Sequence, residues 1–489
     1  MGRTISTSGL TQDIFFSFNK KSSQRGNMIP ALYLLSILIF ELVNRCLADA
    51  GARSWSAEHA QKSVTHSFRE TIPQLTARRD IVRQDRSHRD QRHEVIFVIR
   101  QRNMVQLTDI LHDISNPLSP NYGQHMTGEE VAAMTSNPDA RDAVVTYLLA
   151  KGAIIVSETL HGEYVKATAP IDTWERMFNT EFFTFHQSHS DIKVDKMTRA
   201  ERYWIPVEID QHVESVFNTI QMPTRVVGSL PIPQSTPLSA EFTVEKAKSN
   251  PFADYVTPEK IAAYYNVGTN KGSSSSTQAI FSTIGQYFSP ADLAYFQSTF
   301  SLPAQPVSKN INGHSSDLVC SEKPSSCAEG NLDIQYMMAT SPGSPTTHWY
   351  TDLDLAEWLE TVADCVKPPL VFSISYGADE LSMSASEMAA FSTQAIKLSA
   401  MGVTVVAASG DDGAVSSTVR QHGISACGYS PLFPASNPYI LSVGGTTVRY
   451  HECSHYVISI RIMFGLSVAP AVSVRILSPP TPTPLLLPL

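Results

Sequence analysis

Short apolar runs alternate with amphipathic stretches through the first half of the chain. Residues 95–99 form a continuous apolar run, which predicts a buried strand. Apolar residues then recur at helical spacing over 104–114 and 171–178. Two further apolar runs, at 153–157 and 164–167, predict two more strands. Strands and helices that alternate over so short a distance predict a small α+β domain.

The second half of the chain has a different pattern. Strand-like apolar runs are separated by helical stretches; the runs are 279–285, 370–376 and 403–407, and the helical stretches are 328–339, 355–365 and 386–401. Buried strands that alternate with helices are typical of a parallel sheet with helices on both faces. The sequence therefore predicts an α/β domain with a doubly wound parallel sheet.

Changes in composition predict the domain boundaries. Residues 206–250 are rich in Pro, Ser and Thr, which is typical of an exposed linker and of a site for proteolysis. We therefore expect a lead-in with a signal peptide over 1–50, a first domain over 51–205 and a second domain over 251–450. Residues 451–489 end in a Pro-Leu tract, which does not resemble the closing elements of an α/β domain.

The lead-in has the pattern of a secretory signal. Residues 29–40 are apolar and follow basic residues, and the small-x-small pattern at 48–50 suits signal peptidase. The apolar run is shorter than the roughly 20 residues that cross a bilayer as a helix. We expect cleavage, a start at either Met1 or Met28, and no membrane association afterwards. The alternatives are a signal anchor or a buried core helix.

Charge and cysteine content narrow the class of protein. The chain has 489 residues and a net charge of −9, which argues against a nucleic-acid partner. Its six cysteines are too few for a disulfide-dense scaffold but allow a few bridges in a secreted protein. Cys320 and Cys327 would close a short loop. No Cys-x-x-Cys occurs, and we expect no metal site.

Two carboxylates lie four residues apart inside one predicted helix. Glu329 and Asp333 therefore share one face of that helix. Like charges at this spacing repel, so we expect one of the two pKa values to be raised. Such a pair can serve as a general base and the acid that orients it. Taken alone, the pattern is more typical of a solvated helix face.

Two predicted strands end in polar segments. The strand at 403–407 runs towards Asp411, and parallel strands place such a residue at the carboxyl edge of the sheet, where ligands bind. Asp411 is there either a catalytic or charge-stabilising group, or an Asx turn or helix N-cap. A second strand ends at the same edge with Ser373, Ser375, Tyr376 and Gly377. An extended peptide substrate could pair with this backbone.

Taken together, these segments resemble the sedolisin family of serine-carboxyl peptidases, the group that includes tripeptidyl-peptidases. Residues 95–103 and 119–125 resemble its activation propeptide. The segments that resemble its catalytic domain are 256–259, 264–267, 285–287, 329–333, 373–377, 409–413 and 433–436. The resemblance covers roughly 93–448. It implies a subtilisin-like doubly wound parallel sheet preceded by a small ferredoxin-like propeptide domain.

The resemblance also implies roles for the acidic residues. Glu329 matches the general base, Asp333 the carboxyl that orients it, and Asp411 the aspartic acid of the oxyanion hole. A serine activated by a carboxylate suits acid pH, because a group of pKa about 4.3 is still a base where imidazole is protonated. An oxyanion donor made from Asp must itself be protonated.

The chain departs from the family pattern near its C-terminal end. The family's nucleophile lies in a Ser-Gly-Thr-Ser segment, and this sequence contains no Gly-Thr-Ser. The family's calcium is expected as a cofactor, but its Asp-rich C-terminal ligands do not occur here either, and Cys427 lacks the partner seen in relatives. Without the serine the covalent acyl step cannot occur, so we expect this chain to be inactive.

Three hypotheses follow. The first is an acid-active serine-type peptidase zymogen, secreted or else vacuolar or lysosomal, which acts on peptides or unfolded proteins and binds its own propeptide. It would release tripeptides or cleave internal bonds. The second is a catalytically dead secreted protein, in which the propeptide domain acts as a chaperone or inhibitor. The third is a fragment that does not fold, which would aggregate and be sensitive to proteases.

Overall fold

A computed structural model of the chain describes residues 65–72, 81–187, 196–222, 255–267, 270–351, 365–411 and 431–445, with a few positions between 355 and 362 and the backbone of three two-residue strands beyond 447. The expected signal peptide, most of the predicted helix at 355–365 and Cys427 lie outside the described residues. Within the described part, no helix is long and apolar enough to cross a membrane.

The elements described before residue 223 cover the first domain expected at 51–205 and the start of the linker expected at 206–250. The strands are β1 (His66–Thr71), β2 (Ile81–Arg86), β3 (Arg92–Ile99), β4 (Ile154–Glu158), β5 (Tyr164–Pro170), β6 (Phe182–Gln187), β7 (Lys196–Ala200), β8 (Arg202–Pro206) and β9 (Val213–Phe217). The helices are α1 (Met104–Ser115), α2 (Gly128–Thr135), α3 (Pro138–Ala150), α4 (Ile171–Phe178) and α5 (Val207–Asp210).

A four-stranded antiparallel sheet organises this region. Its strand order is β4-β5-β3-β9, and along the chain its main elements run β3, α1–α3, β4, β5, α4, β9. This β-α-β-β-α-β order is that of a ferredoxin-like domain, which confirms the expected fold. The apolar run at 95–99 is buried on both faces of β3. One face packs on Trp174 and Phe178 of its own domain, and the other joins a cluster that includes Phe391 of the C-terminal part.

The segment that we expected to be a linker is folded at its start. Within 206–250, strand β9 pairs with β3 and buries Val213, Val216 and Phe217. The antiparallel sheet needs this fourth strand to cover one edge of β3. Its five residues were hidden by the polar composition of the longer segment, whose part at 223–250 lies outside the described residues.

The remaining elements form the C-terminal part. The strands are β10 (Tyr255–Val256), β11 (Gln278–Ser282), β12 (Lys309–Ile311), β13 (Thr346–Tyr350), β14 (Val371–Ile374), β15 (Ala378–Asp379), β16 (Thr404–Ala408), β17 (Leu432–Phe433), β18 (Leu441–Val443), β19 (Val448–Arg449), β20 (Val457–Ile458) and β21 (Leu487–Pro488). The helices are α6 (Pro258–Tyr264), α7 (Pro290–Thr299), α8 (Asp317–Glu322), α9 (Ala328–Thr340) and α10 (Ala385–Ala400), with short 3₁₀ turns at Pro324–Ser326 and Glu380–Ser382.

A parallel sheet is the centre of this part, as expected. Its strand order is β12-β13-β11-β14-β16-β18, and each neighbouring pair is parallel. Strands β11, β14 and β16 occupy the predicted positions. Strand β13 was missed because its sequence, Thr-Thr-His-Trp-Tyr, lacks an apolar run, although four of its five residues are buried. The disulfide expected from the spacing of Cys320 and Cys327 is present.

Helix α10 lies between the two sheets. It begins where Ser384 accepts a hydrogen bond from the Glu387 N–H at 3.1 Å. Ile396 and Ala400 pack against Leu107 and Leu111 of the N-terminal domain. The N-terminal domain and the parallel-sheet part therefore share an apolar contact through one helix.

Two polar contacts accompany this packing. Lys397 of α10 forms an ion pair with Glu163, and each side chain is only 6% exposed. The Ser386 hydroxyl donates to a Glu70 carboxylate oxygen at 2.6 Å. Both contacts join residues more than 230 positions apart in the chain.

Candidate active site

Three neighbouring strands of the parallel sheet end at one edge. In the order β11-β14-β16, Phe281 is level with Ile374, and Ile374 is level with Ala407. Because the strands are parallel, the segments that follow them, 283–287, 375–377 and 409–411, leave the sheet side by side. This carboxyl edge is where open α/β sheets bind ligands.

Asp333 of α9 is held at this edge by a serine. The Ser375 hydroxyl donates to Asp333 Oδ1 at 2.7 Å. Asp333 as a residue is half-buried, but its Oδ2 is enclosed and has no hydrogen-bond partner among the described residues. Burial raises the pKa of Asp333 to about 7, against the lowering effect of the Ser375 hydroxyl. The expected rise of one pKa is confirmed, although burial rather than repulsion is its main cause.

Glu329 lies one turn earlier on the same helix. Its N–H donates to Gln286 Oε1 at 3.2 Å, so the first turn of α9 touches the segment that follows β11. Burial and the negative charges of Glu329 and Asp333 raise the pKa of the Tyr376 phenol well above its ordinary range. Both carboxyl groups therefore lie close enough to the Tyr376 phenol to affect its pKa. This agrees with the expected proximity of the pair.

Asp411 reaches the same edge from β16. It follows Gly410, whose φ of 91° lies in the left-handed region that favours glycine. The Ser409 N–H donates to the Val443 carbonyl at 2.9 Å, which fixes the exit of the chain from the sheet. Sheet topology places Asp411 on the edge next to Ser375; the hydrogen bonds given above join Asp333 to Ser375 and Glu329 to Gln286.

The structure leaves fewer of the residues at 373–377 available to bind peptide than the sequence predicted. Ser373 lies inside β14 and is paired with Ile280 on one side and Val406 on the other. Its backbone therefore cannot pair with a substrate, and only 375–377 extend beyond the sheet. A Cβ built on Gly377 would lie 2.7 Å from the Leu432 side chain, which explains the glycine.

Gln286 is a polar residue of this edge to which the sequence pattern assigned no role. It lies in the 285–287 segment and contacts both sides of the α9 N-terminus, with Oε1 on the Glu329 N–H and Nε2 on the Ser325 carbonyl at 3.2 Å. Its place directly after a buried strand was the available signal, because residues at that position of a parallel strand reach the ligand-binding edge.

No cluster of three or more His, Cys, Asp or Glu side chains in the described residues is arranged to hold a metal ion. The tail carries the pattern His451-Glu452-Cys453-Ser454-His455. On a helix, two histidines at this spacing face the same side and can bind zinc. The expectation of no metal site did not take this pattern into account, and it lies outside the described residues.

Comparison with known proteins gives the relationship of the chain. The activation-domain family of pro-kumamolisin matches residues 79–222. Tripeptidyl-peptidase 1 of Dictyostelium discoideum is 29% identical over 385 residues, and that of Homo sapiens is 28% identical over 374 residues. The chain is therefore similar to tripeptidyl-peptidases and has a segment that matches the activation domain of pro-kumamolisin. This similarity agrees with the sedolisin-like peptidase and activation propeptide that the sequence motifs predicted.

Two more proteins are similar to the chain. A probable tripeptidyl-peptidase SED2 of Trichophyton verrucosum is 27% identical over 386 residues. A structure of Pseudomonas sedolisin, a serine-carboxyl proteinase, has a TM-score of 0.32 and 22% identity and covers 48% of this chain and 68% of that chain. The alignments with the two tripeptidyl-peptidases 1 cover 72% of this chain, which spans only 61% of the length of each relative.

Proposed function

We propose that the chain has the architecture of an acid-active serine-type peptidase zymogen, in which Glu329 is the general base, Asp333 the carboxyl that orients it and Asp411 the oxyanion donor, although the chain lacks the segment that carries the nucleophile. The observation that carries the proposal is the burial and protonation of the Asp333 carboxyl. Its carboxyl is buried, hydrogen-bonded by Ser375 and raised in pKa to about 7. It therefore keeps its proton through the acidic range, in which an unperturbed Asp is ionised.

The proton on Asp333 suits the roles proposed for the two carboxyl groups. A protonated Asp333 can donate a hydrogen bond towards Glu329, whose carboxylate would then act as the base. Accepting the proton of a serine hydroxyl makes that serine a nucleophile. Asp411, if protonated, can donate to the oxygen that becomes negative in the tetrahedral intermediate.

The remaining parts of the proposal concern substrate and setting. The carboxyl edge with 375–377 beyond it suits an extended peptide or an unfolded protein, released as tripeptides or cut internally. The propeptide would bind the same chain through α10, and the protein would be secreted or else vacuolar or lysosomal. The described residues offer no ligand set that fits the family's calcium, so no step is assigned to it.

The nucleophile decides whether this chain itself is active. Because the sequence contains no Gly-Thr-Ser, we propose that the 489-residue chain does not cleave peptides. The test compares it with a chimaera in which the residues after 445 are replaced by the corresponding segment of human tripeptidyl-peptidase 1. After acidification, the chimaera should release product from a fluorogenic peptide and the unaltered chain should not.

The control for this experiment is the Glu329→Gln chimaera. It keeps the shape of the side chain but removes the base, and should lose roughly 10²–10⁴-fold in kcat. A chimaera whose activity survives Glu329→Gln would refute the proposed base. Cleavage by the unaltered chain would show that another serine serves as nucleophile.

A second candidate function is binding without catalysis, in which the propeptide domain acts as a chaperone or inhibitor. It is favoured by the propeptide's own apolar core, which includes Phe97, Trp174 and Phe178, and by its buried contact with α10. The purified chain should then inhibit an active tripeptidyl-peptidase in a dose-dependent manner at the highest pH at which that enzyme still cleaves its substrate. Inhibition that survives Leu107→Asp, a change in the contact with α10, would argue against this binding face.

A further inference from the structure

The segment that follows β11 is held from several sides. The Gly285 N–H donates to the Tyr350 hydroxyl at 2.9 Å, and the Tyr287 N–H donates to the Ser326 carbonyl at 2.8 Å. Ile284 has a φ of 56°, in the left-handed region that β-branched residues rarely adopt. Such strain persists only where the surrounding contacts over-determine the backbone, and it is common at functional sites. The segment 283–287 is therefore a fixed element of the carboxyl edge.

Helix α9 begins directly against this segment. Its N-cap residue, Cys327, is disulfide-bonded and makes no side-chain capping hydrogen bond. The N–H groups in the first turn of a helix have no partner within the helix. Gln286 supplies one, because its Oε1 accepts from the Glu329 N–H while its Nε2 holds the Ser325 carbonyl. One side chain thus ties the helix start to the sheet edge.

Gly330 shows how closely the helix and the segment fit. A Cβ built on Gly330 would lie 2.4 Å from the carbonyl oxygen of Tyr287, a distance that real Cβ atoms essentially never show. The backbone of α9 therefore rests on the backbone of 283–287. Further along the same helix, Asp333 is held by Ser375. A shift of the helix start would change the relation of Glu329 to Asp333 and to the sheet.

We propose that Gln286 is a positioning residue, which fixes Glu329 relative to the carboxyl edge and so sets the arrangement of the Glu329–Asp333 pair. The inference rests on the proposed function for the chemical meaning of the pair. Gln286 acts through Glu329, and its amide is committed to two backbone groups. Its effect is therefore expected on the titration of the pair, which can be measured without peptidase activity.

The test uses the full chain and two variants that disturb the helix start in different ways. Gln286→Met keeps the length of the side chain and removes both hydrogen bonds. Gly330→Ala pushes the helix away from Tyr287. The matched control is Gln297→Met, because Gln297 also joins two segments, donating to the Gln305 carbonyl at 2.8 Å and accepting from its N–H at 3.0 Å. Gln305 in turn donates to the Ser344 carbonyl just before β13, at the opposite edge of the sheet.

The free energy of unfolding in urea is measured from pH 5 to 8 for each protein, with and without Asp333→Asn. The difference between the two curves isolates the titration of Asp333. Gln286→Met and Gly330→Ala admit water around the pair, so the midpoint should move down by about half a pH unit or more. Gln297→Met should lower stability by a similar amount at every pH and leave the midpoint in place.

The inference is overturned if Gln286→Met also lowers stability uniformly and leaves the midpoint where it is in the unaltered chain. If Gln286→Met is unfolded at all pH values, the midpoint of Gly330→Ala decides: an unchanged midpoint in that variant overturns the inference. In the active chimaera, Gln286→Met should lower kcat roughly a hundredfold with KM unchanged. If the chimaera is inactive, the proposed function fails, while a shifted midpoint still supports the positioning role.

Discussion

Burial shifts the pKa of His93 in the propeptide domain and that of Asp333 in the parallel-sheet domain in opposite directions. In the propeptide, His93 contacts the Asn218 carbonyl through Nε2 at 2.7 Å, and burial, aided by the charge of Arg199, lowers its pKa to about 4. At the sheet edge, burial raises the pKa of Asp333 to about 7. Both groups are neutral in the folded protein between those values. Acidification therefore acts against the folded propeptide through His93 and in favour of the folded sheet edge through Asp333.

The contact between the two domains contains a buried ion pair instead of a neutral titratable group. Glu163 and Lys397 neutralise each other where neither is solvated. The sheet domain also contains His348, whose pKa burial lowers to about 4, so acid affects that domain in both directions. The comparison thus separates groups that are kept neutral from groups that are kept charged, and each kind can be tested.

The largest expected effect is at the domain contact. Lys397→Met leaves the Glu163 carboxylate buried without its cation, which should cost about 3–5 kcal/mol in the free energy of unfolding at pH 7.5. Adding Glu163→Gln removes the unpaired charge and should restore most of the loss. Urea unfolding of the two single variants and the double variant gives the coupling energy.

An exposed ion pair provides the control for that prediction. Arg83 and Glu201 lie 2.7 Å apart, with side chains 47% and 41% exposed. Arg83→Ala should change stability by no more than about 1 kcal/mol, because solvent already screens the pair. Equal losses for Lys397→Met and Arg83→Ala would contradict the view that burial makes the Glu163–Lys397 contact important.

The next effect concerns Asp333. Its folded pKa, about 7, lies above the ordinary value of 3.8, so the folded state binds a proton more tightly than the unfolded state. This contribution is fully present below about pH 4 and is lost as the pH rises through 7. Between pH 5 and 7 the loss should be roughly 2 kcal/mol. Asp333→Asn should flatten this part of the profile, and an unchanged slope would show that Asp333 does not titrate there.

The sequence predicted much of the fold because the deciding signals are local. The apolar run at 95–99 and the helical spacing at 171–178 identified β3 and α4, and buried strands alternating with helices indicated the parallel sheet. Strand β9 was not predicted, because five residues are a weak signal inside a segment rich in Pro, Ser and Thr. Its place is decided by pairing with β3, which lies more than 100 residues earlier.

The candidate site was predictable only in part. Spacing alone placed Glu329 and Asp333 on one helix face, and the end of a strand placed Asp411 at an edge. The hydrogen bond from Ser375 and the enclosure of Asp333 depend on how α9 packs on the sheet, which no local pattern encodes. The same holds for Ser373, which register places inside the sheet.

The smallest expected effect is the opposite slope from the propeptide. The folded pKa of His93, about 4, lies below the ordinary 6.5, so its contribution is fully present above about pH 7 and is lost as the pH falls towards 4. Between pH 7 and 5.5 the loss should be roughly 1 kcal/mol. His93→Gln removes the titration, so its stability should vary less over this range than that of the unaltered chain. Hydrogen exchange in peptides from β3 and β9 would show whether the loss is confined to the propeptide sheet, and equal protection at both pH values would rule out a role for His93 in its response to acid.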